Sequence, residues 1–160
     1  MIETEADGTR RYLKNGQLHR EDGPAIESPD GSTEWFFEGK RHRLDGPAVE
    51  DASGLKEWFR DGELHRIDGP AVIDPDGDLE WYQNGQRHRE GGPAIEYSDG
   101  SKFWLRHGLL HREDGPAVER ASGENEFWLN DRQLLFEEWL EALNLDDDAR
   151  RILLDRLDAN

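Results

Sequence analysis

Apolar positions in this chain return at a constant step. An aromatic stands at Tyr12, Trp35, Trp58, Trp81, Trp104 and Phe127, each 23 residues from the next. Five positions ahead of each lies an Asp-Gly or Ser-Gly pair, from Asp7-Gly8 to Ser122-Gly123, and no insertion interrupts the period. Segments such as Thr33–Phe37 and Pro47–Glu50 carry aromatic and β-branched residues between turn dipeptides, the signature of short strands. Asn15-Gly16, Asp61-Gly62 and Asn84-Gly85 mark tight turns, because Asn and Gly take positive φ at little cost. Two strands per unit is the economical count, with room for a third near the His-Arg pair. Apolar residues stand side by side at Trp35-Phe36, Trp58-Phe59 and Trp81-Tyr82; since side chains alternate faces along a strand, both faces of the sheet are partly covered.

After the turn each unit carries a box reading H-R-x-D-G-P-A-[IV], at His19–Ile26, His42–Val49, His65–Val72, His88–Ile95 and His111–Val118. Gly91 replaces the aspartate in one box, and Leu134 stands where a sixth histidine would be. The tail follows another rule. Phe136, Trp139, Leu140 and Leu143 fall at helical spacing, and Ala149, Ile152, Leu153 and Leu157 repeat the stripe after Asp146, a natural N-cap with Asp147 and Asp148 in the first turn. A repeat stack leaves an open last edge, and an amphipathic helix covers it. The expected fold is mainly β: an elongated antiparallel β-hairpin array of 23-residue units with a C-terminal α-helical cap. Residues 1–6 form a lead, 7–131 six repeats with the sixth truncated, and 132–160 two short capping helices.

Composition narrows the chemistry. With 34% hydrophobic and 36% charged residues and a mean hydropathy of −0.99, a large enclosed active-site domain is not expected. No cysteine is present, which removes disulfides, thiolate nucleophiles and Cys-ligated metals. No apolar run approaches the ~20 residues of a membrane helix. Met1–Arg10 has acids in place of a basic leader, so a cytoplasmic site is expected. A net charge of −17, most of it in the repeats, repels phosphates and anionic lipid, so direct nucleic-acid or membrane binding is not expected.

Six histidines among many carboxylates raise a metal or acid–base reading, but the period works against it. Equivalent atoms in adjacent two-strand units stand about 9–10 Å apart, twice the strand spacing of ~4.8 Å, whereas zinc ligands lie about 2.0–2.2 Å from the ion. No metal, cofactor or catalytic set is therefore expected, and the chain is not read as an enzyme. His19, Asp22, His42, Asp45, His65, Asp68, His88, His111 and Asp114 are assigned to structure: imidazole or carboxylate satisfies loop backbone, glycine supplies a special φ and proline starts the next strand. The box arginines run beside the aspartates and offset their repulsion.

Recognition then falls to what varies between units. Leu44 and Ile67 are apolar in otherwise polar columns and form a partner-contact candidate if exposed, while buried packing is the competing reading. Glu34, Glu57 and Glu80 line one acidic column, and Phe103, Arg106 and His107 make the fifth unit unusual.

The segment from Glu34 through Trp35 and the Gly39-Lys40-Arg41-His42 turn, on to Asp45-Gly46 and Ser53-Gly54, resembles a MORN repeat, and the resemblance covers residues 7 to about 131. The chain departs from that pattern by carrying Asp-Gly-Pro-Ala where MORN units have a Gly-x-Gly stretch, and is closer to divergent bacterial and phage arrays with H-R-x-D-G-P-A boxes. The resemblance implies a hairpin stack used for protein association, including inhibitor, antitoxin or phage counter-defence roles. The preferred expectation is a non-enzymatic protein-binding module. The alternatives are an acidic nucleic-acid mimic that blocks a DNA- or RNA-binding protein, and a small-ligand or carbohydrate binder using the aromatic ladder. Tyr12 replaces Trp in an uncapped first unit, so homo-oligomer formation through an end of the array stays open.

Overall fold

The computed structural model describes residues 1–159. Among them are 22 short strands, all paired antiparallel where their register is defined, followed by two helices, so the chain is mainly β as expected. It divides into two compact units, residues 1–86 and 87–160.

Repeats two to five each contain four two-residue strand segments rather than two or three continuous strands, whereas in the first and sixth the aromatic lies within a five-residue strand, Arg10–Lys14 or Asn125–Leu129. In the second repeat the four segments are Thr33–Glu34, Phe36–Phe37, Lys40–Arg41 and Val49–Glu50. The break falls on the aromatic. The Trp35 N–H donates to the Ala48 carbonyl, while the Trp35 carbonyl accepts from the His42 N–H. The chain therefore turns a corner at Trp35, leaving the main ladder for its own hairpin. In that hairpin Phe36 faces Arg41 and Phe37 faces Lys40. Glu38 (φ 49°) and Gly39 (φ 77°) both have the positive φ that a two-residue hairpin turn demands.

In the first unit the main ladder runs through Ile2–Thr4, Arg10–Lys14, Ile26–Glu27, Thr33–Glu34, Val49–Glu50, Lys56–Glu57, Val72–Ile73 and Leu79–Glu80. Residues 1–6 are thus more than a lead. Thr4 pairs with Arg10 as Glu27 pairs with Thr33, so Ile2–Thr4 occupies the place of a box strand from a preceding repeat. The Asp7-Gly8 turn makes this possible, since Gly8 N–H donates to Glu5 just as Gly31 N–H donates to Ser28.

In the second unit the ladder runs through Ile95–Glu96, Lys102–Phe103, Val118–Glu119, Asn125–Leu129 and Arg132–Leu134. The repeats continue past the expected end at residue 131. Asn130 and Asp131 both take positive φ, which closes a sixth hairpin and places Arg132–Leu134 in the sheet instead of the helical cap. The cap helices are Phe136–Ala142 (α1) and Asp147–Asp158 (α2). Asp146 caps α2 as predicted, its carboxylate accepting from Ala149 N–H at 2.8 Å.

The largest core is where the cap meets the last repeat. Trp139, Leu140, Leu134 and Leu153 are buried, with Phe127, Leu129, Phe136, Leu143, Leu154 and Leu157 around them. Leu134 replaces the box histidine because here the neighbour is an apolar helix face. Ile152, expected in the apolar stripe, is exposed, and Leu154 packs in its place. Elsewhere the core is thin. The box alanines 25, 48, 71, 94 and 117 are fully buried, and the indoles of Trp35, Trp58 and Trp104 are half-buried.

Candidate functional site: the box loops

The box histidine joins one repeat to the next. His19 Nδ1 accepts the backbone N–H of Glu38 at 3.0 Å, and the same bond runs from Asp61 to His42, Asn84 to His65, His107 to His88 and Asn130 to His111 at 3.1–3.3 Å. Each donor is the first residue of a hairpin turn, where the left-handed backbone leaves the N–H without a ladder partner. In His19 and His111 the opposite ring nitrogen lies 3.2 and 3.1 Å from the carboxylates of Glu21 and Glu113. A carboxylate requires a donor, so the proton is on Nε2 and Nδ1 is free to accept. The His19 contact holds the Glu21 carboxyl below the usual carboxylate range.

The box arginine clasps its own loop. Arg43 lies flat over the Trp35 ring at 4.1 Å, donates through Nε to Asp45 at 3.0 Å, and donates to the Pro47 carbonyl at 3.1 Å. Arg20, Arg66 and Arg112 repeat the arrangement over Tyr12, Trp58 and Trp104 with Asp22, Asp68 and Asp114. Hydrogen bonding to the guanidinium lowers the carboxyl pKa of Asp22 and Asp68. These aspartates thus satisfy a side chain rather than the backbone. The box glycine also has a different role from the one expected. Gly23, Gly46, Gly69, Gly92 and Gly115 do not take positive φ; a Cβ there would stand only 2.7–3.0 Å from the arginine Cζ. Glycine is needed because the guanidinium is sandwiched between the ring and the backbone.

The structure separates the candidate recognition residues. Leu44 and Ile67 are 79% and 78% exposed, so neither is packed in the interior. Phe37, absent from the sequence-based set, is also exposed and lies against His19, ring centroids 4.7 Å apart. Its signal was an aromatic in a column otherwise occupied by Lys14, Arg60, Gln83, Arg106 and Leu129. These residues border two clefts in the first unit. One, of about 620 Å³, is lined by Trp35, Phe37, Leu44 and the acids Glu21, Asp22, Asp45 and Asp61. The other, of about 560 Å³, lies between Arg43–Pro47 and His65–Asp68 over Trp58.

The acidic column is largely engaged. Glu34 receives Arg41 at 2.8–2.9 Å, Glu80 accepts from the Tyr82 hydroxyl, and Glu57 is half-buried, its pKa raised by desolvation. In the fifth repeat, Phe103 meets Tyr97 edge-on and packs on Ala94, Ile95 and Leu105. His107 is the turn residue that donates to His88 and stacks on its ring at 4.4 Å; Arg106 is exposed. Among the described residues no group of three or more histidines and carboxylates could hold a metal ion, and no helix is long and apolar enough to cross a membrane. No family model and no curated protein matches the chain.

Proposed function

We propose that the chain is a non-enzymatic protein-binding module whose contact surface is the box-loop side of the first unit, centred on Leu44 and Ile67. The observation that carries this reading is the contrast within one loop. The recurring His, Arg and Asp make internal bonds and the glycine admits the guanidinium, while the side chain at the variable position projects into solvent and is a bare hydrocarbon in two successive repeats. Two large aliphatic groups held outward on a clamped loop favour burial against another protein. The lack of cysteine suits a cytoplasmic encounter. An inhibitory role fits a protein whose work is occupancy of a partner's surface.

The two alternatives draw less support. A nucleic-acid mimic needs bare carboxylates at regular steps, and Glu34 is paired with an arginine. A ligand ladder needs open ring faces, and guanidinium groups cover Tyr12, Trp35, Trp58 and Trp104.

Affinity capture from a lysate of the source cells, at low and high salt, tests the reading with the wild type and a Leu44→Ser/Ile67→Ser variant. The expected result is a captured protein that survives high salt and is lost from the variant. Capture that the variant retains overturns the proposal, and capture that collapses with salt favours the mimic.

A further inference from the structure

In the first and fifth repeats the box histidine uses both ring nitrogens, with Glu21 and Glu113 accepting from Nε2. The side chains of these glutamates are 68% and 64% exposed although the His19 and His111 rings are largely covered. A carboxylate thus reaches the inner nitrogen from the solvent side. In the third repeat the equivalent residue is Ile67.

His65 Nδ1 still accepts the Asn84 backbone N–H at 3.2 Å, which leaves the proton on Nε2. Asn84 Oδ1 lies 3.0 Å from the same nitrogen, but two acceptors cannot pair, and the backbone bond, which recurs at all five box histidines, fixes Nδ1 as the acceptor. Nε2 is buried and has no hydrogen-bond partner among the described residues. Native structures seldom leave such a donor unpaired, because burial removes water without replacing it. Here the group that would pair it has been exchanged for hydrocarbon.

We propose that the cleft between the second and third boxes receives an acidic side chain from a segment of a partner protein. That carboxylate supplies in trans the acceptor that Glu21 and Glu113 supply in cis. An apolar neighbour in the same segment packs on Leu44 and Ile67. The inference rests on the contact surface proposed above and names the chemistry that the surface recognises. Charge supports an acid at this place. Arg43, Arg60 and Arg66 line the cleft against Asp45 and Asp68, and both aspartates are held on the guanidinium of their own box. The neighbouring cleft sets Glu21, Asp22, Asp45 and Asp61 against Arg20 and Arg43 and repels such a group. The cleft over Trp58 is therefore the cationic one of the pair, in a unit with 20 acidic and 10 basic residues.

The test is selection of random linear peptides displayed on phage against the full chain. Selected peptides are then compared on Ile67→Glu and Ile67→Gln, which restore an acceptor in cis, and on Ile67→Leu, which keeps the hydrocarbon. Ile67 is mostly exposed, so all three should fold, and circular dichroism verifies it. The expected peptides carry Asp or Glu beside a large apolar residue. They bind the Glu and Gln variants about tenfold or more weakly, the scale of a lost hydrogen bond to a charged group, and retain binding to Ile67→Leu. Their addition shifts the His65 Nε2–H resonance in ¹⁵N-resolved NMR spectra. An empty selection, equal binding to Ile67→Glu or an unmoved His65 signal overturns the inference. Acid-free peptides that lose binding on Leu44→Ser also overturn it while leaving the contact surface itself standing.

Discussion

The Nδ1 atom of His19 accepts the backbone N–H of Glu38, 19 residues along the chain and in the turn of the next repeat. One side chain thereby closes the polar account of its neighbour's hairpin. The histidine recurs because each left-handed turn residue presents an N–H that its own repeat cannot satisfy.

Replacement of His19 by Ala should leave the Glu38 N–H without its protein acceptor. The expected loss of unfolding free energy is about 0.5–1.5 kcal/mol, the usual net contribution of one hydrogen bond. Urea denaturation monitored by tryptophan fluorescence measures it, and a midpoint equal to that of the wild type would contradict the role.

Acid should loosen the chain at His88, since a protonated Nδ1 no longer accepts the His107 N–H. For His88 the direction follows from its surroundings: burial first, then the charge of His107, depress its pKa below the ordinary histidine value. The folded state therefore resists a proton that the unfolded chain takes up near pH 6.5. Its contribution is fully present above that pH and is lost as pH falls toward the depressed folded value. Urea midpoints measured from pH 7.5 downward should fall, and His88→Gln should flatten the slope in this window.

Gly46→Ala should displace the Arg43 guanidinium, because the new Cβ would stand 2.8 Å from Arg43 Cζ. The stack on Trp35 and the bonds to Asp45 and Pro47 are then strained together, for an expected cost of about 1–3 kcal/mol. The decisive measurement is a double-mutant cycle. In an Arg43→Ala background the glycine substitution should cost clearly less, and full additivity would reject the sandwich.

The cap is anchored by a polar contact within its core. Trp139 is fully buried and its Nε1–H donates to the Arg112 carbonyl at 3.0 Å. Trp139→Phe should cost about 1–3 kcal/mol by leaving that carbonyl unpaired, and Trp139→Ala about 3–5 kcal/mol by adding a cavity. Thermal unfolding of the two variants should rank them in that order.

Spacing alone determined the 23-residue period, the Asn15-Gly16 and Asn84-Gly85 turns, the helical tail and the Asp146 cap, because these features depend on residues within a few positions of one another. It also pointed to a structural role for the box and set Leu44 and Ile67 apart as apolar residues in a polar column. Only the tertiary structure decided that Trp35 is a corner, that Gly46 is small to admit Arg43, and that Leu44 and Ile67 face solvent while His65 Nε2 lacks an acceptor. The physical reason is distance along the chain. A turn is specified by its own φ angles, but in a repeat array the partner of a side chain belongs to the adjoining unit, and stacking alone brings His65 against Asn84.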